Sequence, residues 1–427
     1  MNRNFNIIKL RAVKRKFFFS QNLFLRKFYK KTASFIPGSR TFVMWVMSVL
    51  GRVIGVASKK SKFYVVKLGS CDARIIASVG NPIYSVGQCT SAVAFRAPTI
   101  SAFTLYELSD AVVIGGSNMI IYNKSLITHD LYDFEFDLTS EELWGRITAN
   151  PNSKSFYLNF DYRPELFLNS AISLLDACSS NYCHWVSEIL PKLVMTFANK
   201  DIRGIPIIID ENLHNNLLES LRLVVGMDAK IYSVESNVSI SVGRLYVPSV
   251  CGYVPFGVKK RNITGEFHGG FYVPALKLLK NSIATKEDVS GAKPLKKVYL
   301  SRRSEIRAIR NSKSVEELLG KYGFEIVFTE DYSFSSQVKL FHNVSHIVAP
   351  TGAALVNAVF CSPGTKVCVF MGDHPEMIYD YWKNMLEPIG LNIRIIKNSM
   401  ANKRSGIHGD YFVDTLQLKN LLREWAL

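Results

Sequence analysis

Four short apolar runs between Lys296 and Met371 constrain the fold more than any other part of the chain. Segments with helical periodicity separate these runs, and polar or small residues follow each of them. The runs are residues 298–300, 325–329, 346–349 and 365–371, and the helical segments are residues 315–322, 334–342 and 353–360. Alternation of this kind is typical of βαβ units and predicts a parallel sheet.

The residues that follow these runs are suited to binding a phosphate group. They are Arg302 and Arg303 after the first run, Glu330 and Asp331 after the second, and Thr351, Gly352 and Ala353 after the third. Ligands of parallel sheets bind at the carboxyl ends of the strands. A helix that begins at Ala353 would direct free N–H groups and the positive end of its dipole at an anion.

The side chains at these strand ends support the same interpretation. Arginines can form charge-assisted hydrogen bonds with phosphoryl oxygens, and an acid such as Glu330 can accept a hydrogen bond from a ribose hydroxyl. No complete GxGxxG or P-loop motif is present. By itself, the Thr351-Gly352 turn is therefore more typical of a plain helix cap beside solvated arginines.

Two blocks of the sequence resemble the family-61 glycosyltransferases. The first comprises residues 298–303 (VYLSRR), Arg310-Asn311, Gly323-Phe324, Glu330, Phe334, Gln337 and the run HIVAPTGAALVNAVFCSPG; the second is SSNYCHWVSEILPKL, residues 179–193. The resemblance extends over roughly residues 100 to 375. Many family members have His before Gly-Ala, whereas this chain has Thr351, as bacterial-type members often do.

The resemblance implies an α/β protein of the GT-B class, in which two Rossmann-like domains face a cleft. Three parts are then expected: a membrane-associating arm at residues 1–62, a β-rich lead-in with the acceptor-side domain at 63–262, and a nucleotide-sugar-binding domain at 263–427. The residues implied to contact the donor are Arg302, Arg303, Glu330, Thr351, Gly352, Ala353 and Asn357.

The resemblance also implies a reaction. A hexosyl- or pentosyltransferase would move a sugar, with inversion, from a nucleotide-sugar to a glycan or lipid-linked glycan acceptor in capsular or surface polysaccharide synthesis. Two other functions remain open. The protein could be a non-catalytic scaffold whose basic, aromatic arm binds a membrane or RNA, or another GT-B-like enzyme such as a pyruvyl transferase.

His184, in the second block, is the candidate general base. It lies on a helical pattern one turn before Glu188, so both side chains can face the same direction. An imidazole with a pKa near its reference value of about 6.5 suits proton abstraction at neutral pH. Asp161 and Asp210 are alternative bases, and a histidine that merely fills a polar position in the core remains a further interpretation. No DxD motif is present, and the resemblance to GT-B enzymes implies a reaction without a metal, so neither a metal nor another cofactor is expected.

The positive charge of the chain is concentrated at its N-terminus. Sixteen of the 52 Lys and Arg residues precede the first acid, Asp72, and the other 36 nearly balance the 35 acids. Residues 42–57 are nearly apolar but shorter than the roughly 20 residues that span a bilayer. They suit a helix in the plane of an anionic membrane surface. We predict a peripheral protein at the cytoplasmic face; a disordered tail is the alternative. Nucleic acid is not an expected partner.

Secondary structure elsewhere is predicted from shorter patterns. Residues 63–128 favour a β-rich lead-in with a turn at 115–118, residues 163–200 a helical region, and residues 205–209 a buried strand. The seven cysteines form no CxxC pair, so we expect reduced thiols in an intracellular protein.

Overall fold

The computed structural model describes residues 7–10, 62–79, 86–87, 97–98, 100, 102–129, 131–134, 137–143, 146–150, 155–158, 162–164, 166–254, 269–287, 296–303, 306–374, 377 and 379–427. Over these residues the protein is a mixed α/β structure, as predicted.

The strands are numbered in chain order. They are β1 (Ile7–Leu10), β2 (Lys62–Lys67), β3 (Arg74–Val79), β4 (Val86–Gly87), β5 (Ala97–Pro98), β6 (Phe103–Ile114), β7 (Ile120–Tyr122), β8 (Ser125–Thr128), β9 (Ile147–Asn150), β10 (Ser155–Leu158), β11 (Leu166–Ser173), β12 (Ile207–Asp210), β13 (Ile231–Val234), β14 (Ser239–Pro248), β15 (Gly252–Tyr253), β16 (Gly270–Phe271), β17 (Lys296–Leu300), β18 (Glu325–Val327), β19 (Val344–Pro350), β20 (Lys366–Gly372), β21 (Asn392–Met400) and β22 (Tyr411–Phe412).

The helices are named by their residues. The α-helices are Ser140–Leu143, Asn215–Val225, Val273–Lys286, Ser312–Lys321, Phe334–His342, Tyr381–Leu386 and Thr415–Glu424, together with a composite helix over residues 182–198. The composite helix consists of Tyr182–His184, a π-helical segment Trp185–Ile189, and Leu190–Ala198. The 3₁₀ helices are Leu68–Ser70, Lys200–Ile202, Thr329–Asp331, Ala353–Phe360, Glu387–Ile389 and Lys403–His408.

The C-terminal sheet has the order β18-β17-β19-β20-β21-β22 over the described residues. Its first five strands are parallel, and β22 is antiparallel to β21. All four predicted strands and all three predicted helices are confirmed, the last helix as a 3₁₀ helix. In chain order the parallel strands follow the pattern 2-1-3-4-5, whose topological switch point lies between β17 and β19. A ligand crevice is expected at the carboxyl ends of these two strands.

The N-terminal sheet contains twelve described strands in the order β1-β13-β12-β11-β14-β6-β7-β8-β2-β10-β9, with β3 also paired to β6. The β6–β7 hairpin at residues 115–118 is confirmed, with Val112 opposite Ile121. The helical prediction for residues 163–200 is wrong in its first half, because β11 runs in parallel between β12 and β14. Hydrogen bonding of β11 to a strand on each side outweighs the weak helical pattern of its residues.

Part of the basic arm belongs to this sheet. Residues 7–10 form β1, which runs parallel to β13 with Ile7 opposite Ile231. Lys9 also lies 3.9 Å from the carboxylate of Glu211. The apolar run at 42–57 lies outside the described residues, and no helix within the described residues is both long and apolar enough to cross a membrane.

The largest hydrophobic core joins the two sheets through helices. The Val273–Lys286 helix contacts both the composite helix and the 3₁₀ helix Ala353–Phe360, and the start of the composite helix also contacts that 3₁₀ helix. This core includes Trp185 of the composite helix, Leu276 of the Val273–Lys286 helix, and Val298 of the C-terminal sheet. The composite helix therefore begins next to the switch point of the C-terminal sheet. The predicted domain boundary at 262/263 lies outside the described residues, and the GT-B arrangement stays a prediction.

The cysteines agree with the expectation of reduced thiols. The six described cysteines are free, and Cys251, Cys361 and Cys368 are buried. Burial raises the pKa of all three thiols because it disfavours the thiolate. These side chains therefore behave as small core residues.

Candidate functional site

The start of the composite helix is held by polar contacts on both sides. Asn181 caps the helix, with its side-chain oxygen accepting a hydrogen bond from the backbone N–H of Cys183 at 2.9 Å. The Tyr182 hydroxyl lies 2.6 Å from Asn357 Oδ1 and 3.1 Å from Gln337 Oε1. Asn357 in turn donates to Gln337 Oε1 at 2.6 Å. This network joins the start of the composite helix to the helices Phe334–His342 and Ala353–Phe360 of the C-terminal half.

The next turn of the helix places His184 and Glu188. Trp185 is fully buried and donates from Nε1 to Ser220 Oγ at 2.8 Å. Pro191 lacks an N–H group, so the regular helical hydrogen bond to residue 187 cannot form. The preceding segment is π-helical, with the N–H of Leu190 bonded to the carbonyl of Trp185. Single π-helical turns of this kind are frequent at functional sites.

His184 and Glu188 form a close pair. The distance from His184 Nδ1 to Glu188 Oε1 is 2.6 Å, and 25% of the His184 side chain is exposed. Burial opposes protonation of the ring, but the Glu188 carboxylate, with a smaller contribution from Asp176, outweighs it and raises the pKa of His184 to about 9. The expectation of a pKa near 6.5 is therefore wrong. The short contact with Glu188 stabilises the imidazolium form of His184, which is the main form at neutral pH.

Glycine is required at position 252 by the close approach of Glu188 and Ser187. A Cβ atom there would lie 2.7 Å from Glu188 Cγ and 2.9 Å from the carbonyl oxygen of Ser187. Real Cβ atoms essentially never approach so closely, and a backbone carbonyl cannot rotate away. Strand β15 can therefore pack directly against Glu188 only while residue 252 has no side chain.

We expect Gly252→Ala to lower kcat about tenfold, because the new methyl group displaces Glu188 from His184. Overpacking of this kind typically costs about 1–3 kcal/mol of stability, so unfolding must be measured on the same sample by denaturant titration. Gly320→Ala is the matched control, since a Cβ at position 320 meets no atom within 4 Å. The interpretation fails if the Gly252 variant has normal kcat per folded molecule.

Two arginines converge on the switch point. Arg302 follows β17 and donates from Nη1 to the carbonyl of Thr351, after β19, at 3.2 Å. Arg307 approaches the same carbonyl at 3.5 Å. Both side chains are partly buried, and neither has an acidic partner within the described residues. Two like charges held together without a counter-charge favour an anionic ligand.

Arg307 was not predicted from the sequence. Its backbone is left-handed (φ 56°), a conformation that is uncommon for residues other than glycine and that recurs at functional sites. Its Nη2 lies 3.1 Å from His408 Nδ1, a residue 101 positions away. Burial first, and then the charge of Arg302, lower the pKa of Arg307. No local sequence motif signals either the backbone conformation or this convergence.

Arg303 points to the other side of β17. It forms two hydrogen bonds with Asp331, at 2.6 and 2.7 Å, and its guanidinium lies 4.4 Å from the centre of the Phe328 ring. The backbone N–H of Arg303 is 3.4 Å from Glu330 Oε1. Arg303, Glu330 and Asp331 thus form an exposed cluster at the end of the edge strand, separate from the contacts of Arg302 with Thr351.

His184 and Glu188, here called the dyad, lie on an element next to those that bear Arg302 and Arg307. Side-chain contacts join these elements. Thr351 Oγ1 accepts a hydrogen bond from Trp382 Nε1 at 3.0 Å. The neighbouring Tyr381 hydroxyl lies 3.2 Å from Cys183 Sγ, next to His184 in the chain. The structure therefore brings the two predicted blocks together, although they are more than a hundred residues apart in sequence.

Other predicted residues occupy different positions. Asn357 is fully buried in the network behind the turn, and its contact with a donor stays a prediction. Asp210 is buried, with Oδ2 accepting from the N–H of Asp176 at 3.0 Å and Oδ1 from the N–H of Gly116. Burial raises the pKa of Asp210 to about 6. Asp161 lies outside the described residues. Asp210 thus holds two loops to the end of β12.

Over the described ranges, no three His, Cys, Asp or Glu side chains are arranged so that they could hold a metal ion. The expectation of a reaction that needs neither metal nor another cofactor stays a prediction.

Comparison with known proteins supports the resemblance. The profile of the family Glycosyltransferase 61 matches residues 182–368, from the tyrosine that anchors the composite helix to the strand that follows the 353–360 helix. No curated protein is significantly similar to the chain. The matched segment contains His184 and Glu188, Arg302 and Arg307, and the turn that begins at Thr351. The chain therefore contains a family-61 glycosyltransferase domain over residues 182–368.

Proposed function

We propose that this glycosyltransferase moves a hexose or pentose, with inversion, from a nucleotide-sugar to a hydroxyl of a glycan or lipid-linked glycan. One observation carries the proposal: two partly buried arginines without described acidic partners meet at the switch point, beside the helix that bears His184 and Glu188. An anion site next to a proton-accepting pair is what such a transfer requires.

The donor diphosphate would lie against Arg302 and Arg307. The turn of Thr351, Gly352 and Ala353 would add backbone N–H groups, as expected for the start of a helix after a strand. A Cβ at position 352 would come within 3.2 Å of Arg302 Nη1, so glycine keeps the space between guanidinium and backbone open. Arg303 and Glu330, at the edge strand, would face the nucleoside.

In the proposed transfer, one bond to the anomeric carbon forms, one breaks, and one proton moves to the protein. The acceptor oxygen forms a new bond to the anomeric carbon from the face opposite the leaving group. The bond from that carbon to the diphosphate oxygen breaks, and the nucleoside diphosphate leaves with the electron pair. The acceptor proton passes to Nε2 of His184, while Glu188 holds Nδ1. Arg302 and Arg307 offset the charge that develops on the leaving group.

A ligand screen on the full-length protein tests the proposal directly. Nucleotide-sugars are added one at a time, and the melting temperature is measured. A ligand at a hundred times its Kd stabilises the native state by about 2.7 kcal/mol. The stabilising donor is then incubated with glycan acceptors, and release of nucleoside diphosphate is followed. A protein that no nucleotide-sugar stabilises, but that RNA does, would contradict the proposal.

The dependence of kcat on pH reports on the dyad. Because the pKa of His184 is raised to about 9, the neutral base is a minor species at pH 7, and kcat should rise with pH until about pH 9. Glu188→Gln removes the carboxylate that raises this pKa, so the rise should move to lower pH by more than one unit. A rise at the same pH in both proteins would show that His184 is not the titrating group.

We further propose that the basic arm attaches the enzyme to the cytoplasmic face of an anionic membrane, where capsular or surface polysaccharide precursors are assembled. This proposal is supported by the 16 basic residues that precede the first acid and by the apolar run at 42–57. Electrostatic attachment is screened over about 10 Å at 0.1 M salt, so binding should weaken as salt is added.

Replacing Lys14, Arg15 and Lys16 with glutamine should reduce sedimentation with anionic vesicles and leave activity in solution unchanged. These substitutions keep residues 7–10, which a larger deletion would remove from the sheet. The matched control replaces the exposed Lys296, Lys321 and Arg394, outside the arm. Equal sedimentation of the arm variant and the natural protein would exclude the arm as the anchor.

A further inference from the structure

A cavity of about 140 Å³ lies beside the dyad, and both His184 and Glu188 form part of its wall. Most of its other wall residues come from the lead-in, within residues 117–141, and from residues 247–254 around β15. A cavity of about 150 Å³ in another protein holds a benzene molecule. The space is therefore sufficient for one six-membered ring.

The imidazole of His129 lines this cavity. Its Nδ1 atom is buried and has no hydrogen-bond partner among the residues that the structure describes. Burial, followed by the charges of Lys192 and Lys67, lowers the pKa of His129 to about 3, so the ring is neutral and has one donor and one acceptor nitrogen. Because buried polar groups are almost always paired in native proteins, the unpaired Nδ1 of His129 in a cavity wall favours a ligand that can hydrogen-bond to it.

The remaining walls combine aromatic and polar groups. The Tyr253 ring lies edge-on to the His129 ring, with 4.4 Å between centroids. Glu141 is buried and accepts hydrogen bonds from Ser117 Oγ at 2.9 Å and Ser140 Oγ at 2.7 Å. Each carboxylate oxygen can still accept another hydrogen bond. Apolar ring surfaces beside hydroxyl-accepting groups match the two chemical faces of a sugar.

We infer that this cavity binds one sugar ring of the acceptor and that His129 hydrogen-bonds to a hydroxyl of that ring. The inference rests on the proposed function, since it takes the dyad as the group that meets the acceptor. A ring seated here would lie against His184 and Glu188, and one of its hydroxyls could reach His184 directly.

Acceptor recognition in this cavity would depend largely on residues outside the family match. Residues 117–141 precede the matched segment, which begins at residue 182. The donor contacts at Arg302, Arg307 and Thr351 all lie within it. Acceptor choice can therefore change through the lead-in while the donor site and the dyad remain intact.

Carbon-13 labelling of histidine Cε1 tests this placement in the full-length protein. The chain has eight histidines, so a heteronuclear NMR spectrum is simple, and the signals are assigned with single His→Gln variants. The probes are methyl glycopyranosides of common hexoses and pentoses, without donor. At least one glycoside should shift the His129 and His184 signals and leave the His346 signal in place.

A variant then tests the role of His129. His129→Leu should raise the apparent Kd of that glycoside about tenfold, the effect of one lost hydrogen bond. His346→Leu is the matched control, because His346 also has a buried ring nitrogen without a described partner but lies in β19 and does not line the cavity. An unchanged Kd in the His129 variant would overturn the role of this residue.

Donor binding separates the two proposals. A nucleotide-sugar should shift the signal of His408, which contacts Arg307, and not that of His129. If the donor shifts His408 but no glycoside shifts His129 or His184, the cavity inference is overturned and the proposed function stands. If no nucleotide-sugar shifts His408 or stabilises the protein, the proposed function itself is contradicted.

Discussion

Replacing His184 with alanine is expected to lower kcat by at least about a hundredfold while leaving donor affinity unchanged. A general base acts on the transition state, where it typically contributes about 10²- to 10⁴-fold, and it makes no contact with the nucleotide. At a pH above the pKa of His184 in both proteins, Glu188→Gln should lower kcat less than His184→Ala does, because it misorients the imidazole without removing it. The measurements are kcat, and the Kd of the donor by calorimetry, on one preparation of each variant.

Stability must be measured on the same preparation. If His184 only filled a polar position in the core, its loss would lower the melting temperature, and the folded fraction would keep near-normal turnover. His214→Ala is the matched control: His214 is an exposed histidine that caps the helix Asn215–Val225 through Nδ1. Losing such a cap costs about 0.5–2 kcal/mol and should leave kcat unchanged. Activity that falls only with the folded fraction would place the base elsewhere.

Arg307→Ala is expected to weaken donor binding by about 1.5–3 kcal/mol, the range for hydrogen bonds to charged groups. This corresponds to a rise of roughly 10- to 100-fold in Kd. Arg302→Ala should have a similar effect, because both guanidiniums meet at the Thr351 carbonyl. The Kd of the nucleotide-sugar, and separately that of the nucleoside diphosphate, should rise together, since both ligands carry the diphosphate.

Arg303 should contribute less, because its guanidinium is already paired with Asp331 and must leave that partner to meet a phosphate. The control for these variants is Arg394→Ala. Arg394 pairs with Glu424 at 3.1 Å and lies near the amino end of β21, opposite the crevice. Unchanged donor affinity in both the Arg302 and Arg307 variants would remove the diphosphate from the switch point.

The sequence predicted local elements well where one pattern dominated. The alternation over residues 296–371 indicated the first four strands of the parallel sheet and the three helices between them, because such strands are buried on both faces and read as continuous apolar runs. It did not extend to the fifth parallel strand, β21. The same reasoning was wrong for β11, residues 166–173. There the order of apolar and polar residues fits both a helical period and a strand period. Hydrogen bonding to β12 on one side and β14 on the other makes the segment a strand.

Site residues were predictable when they belonged to a motif. His184 and Glu188 followed from helical spacing, and Arg302 and Thr351 followed from strand ends. Arg307 and His129 carried no such signal. Their roles depend on neighbours far away in sequence: Thr351 and His408 for Arg307, and the cavity walls for His129.

By itself, the sequence determined which segments between residues 296 and 371 become strands and helices of the C-terminal sheet, and which residue types lie at their ends. Only the tertiary structure decided the strand order that puts β17 beside β19, and with it the meeting of Arg302 with Thr351, 49 residues apart. It also decided the charge state of His184. The physical reason is the same in both cases: hydrogen bonding, burial and charge depend on which groups are adjacent in space, and adjacency is set by packing of the whole chain.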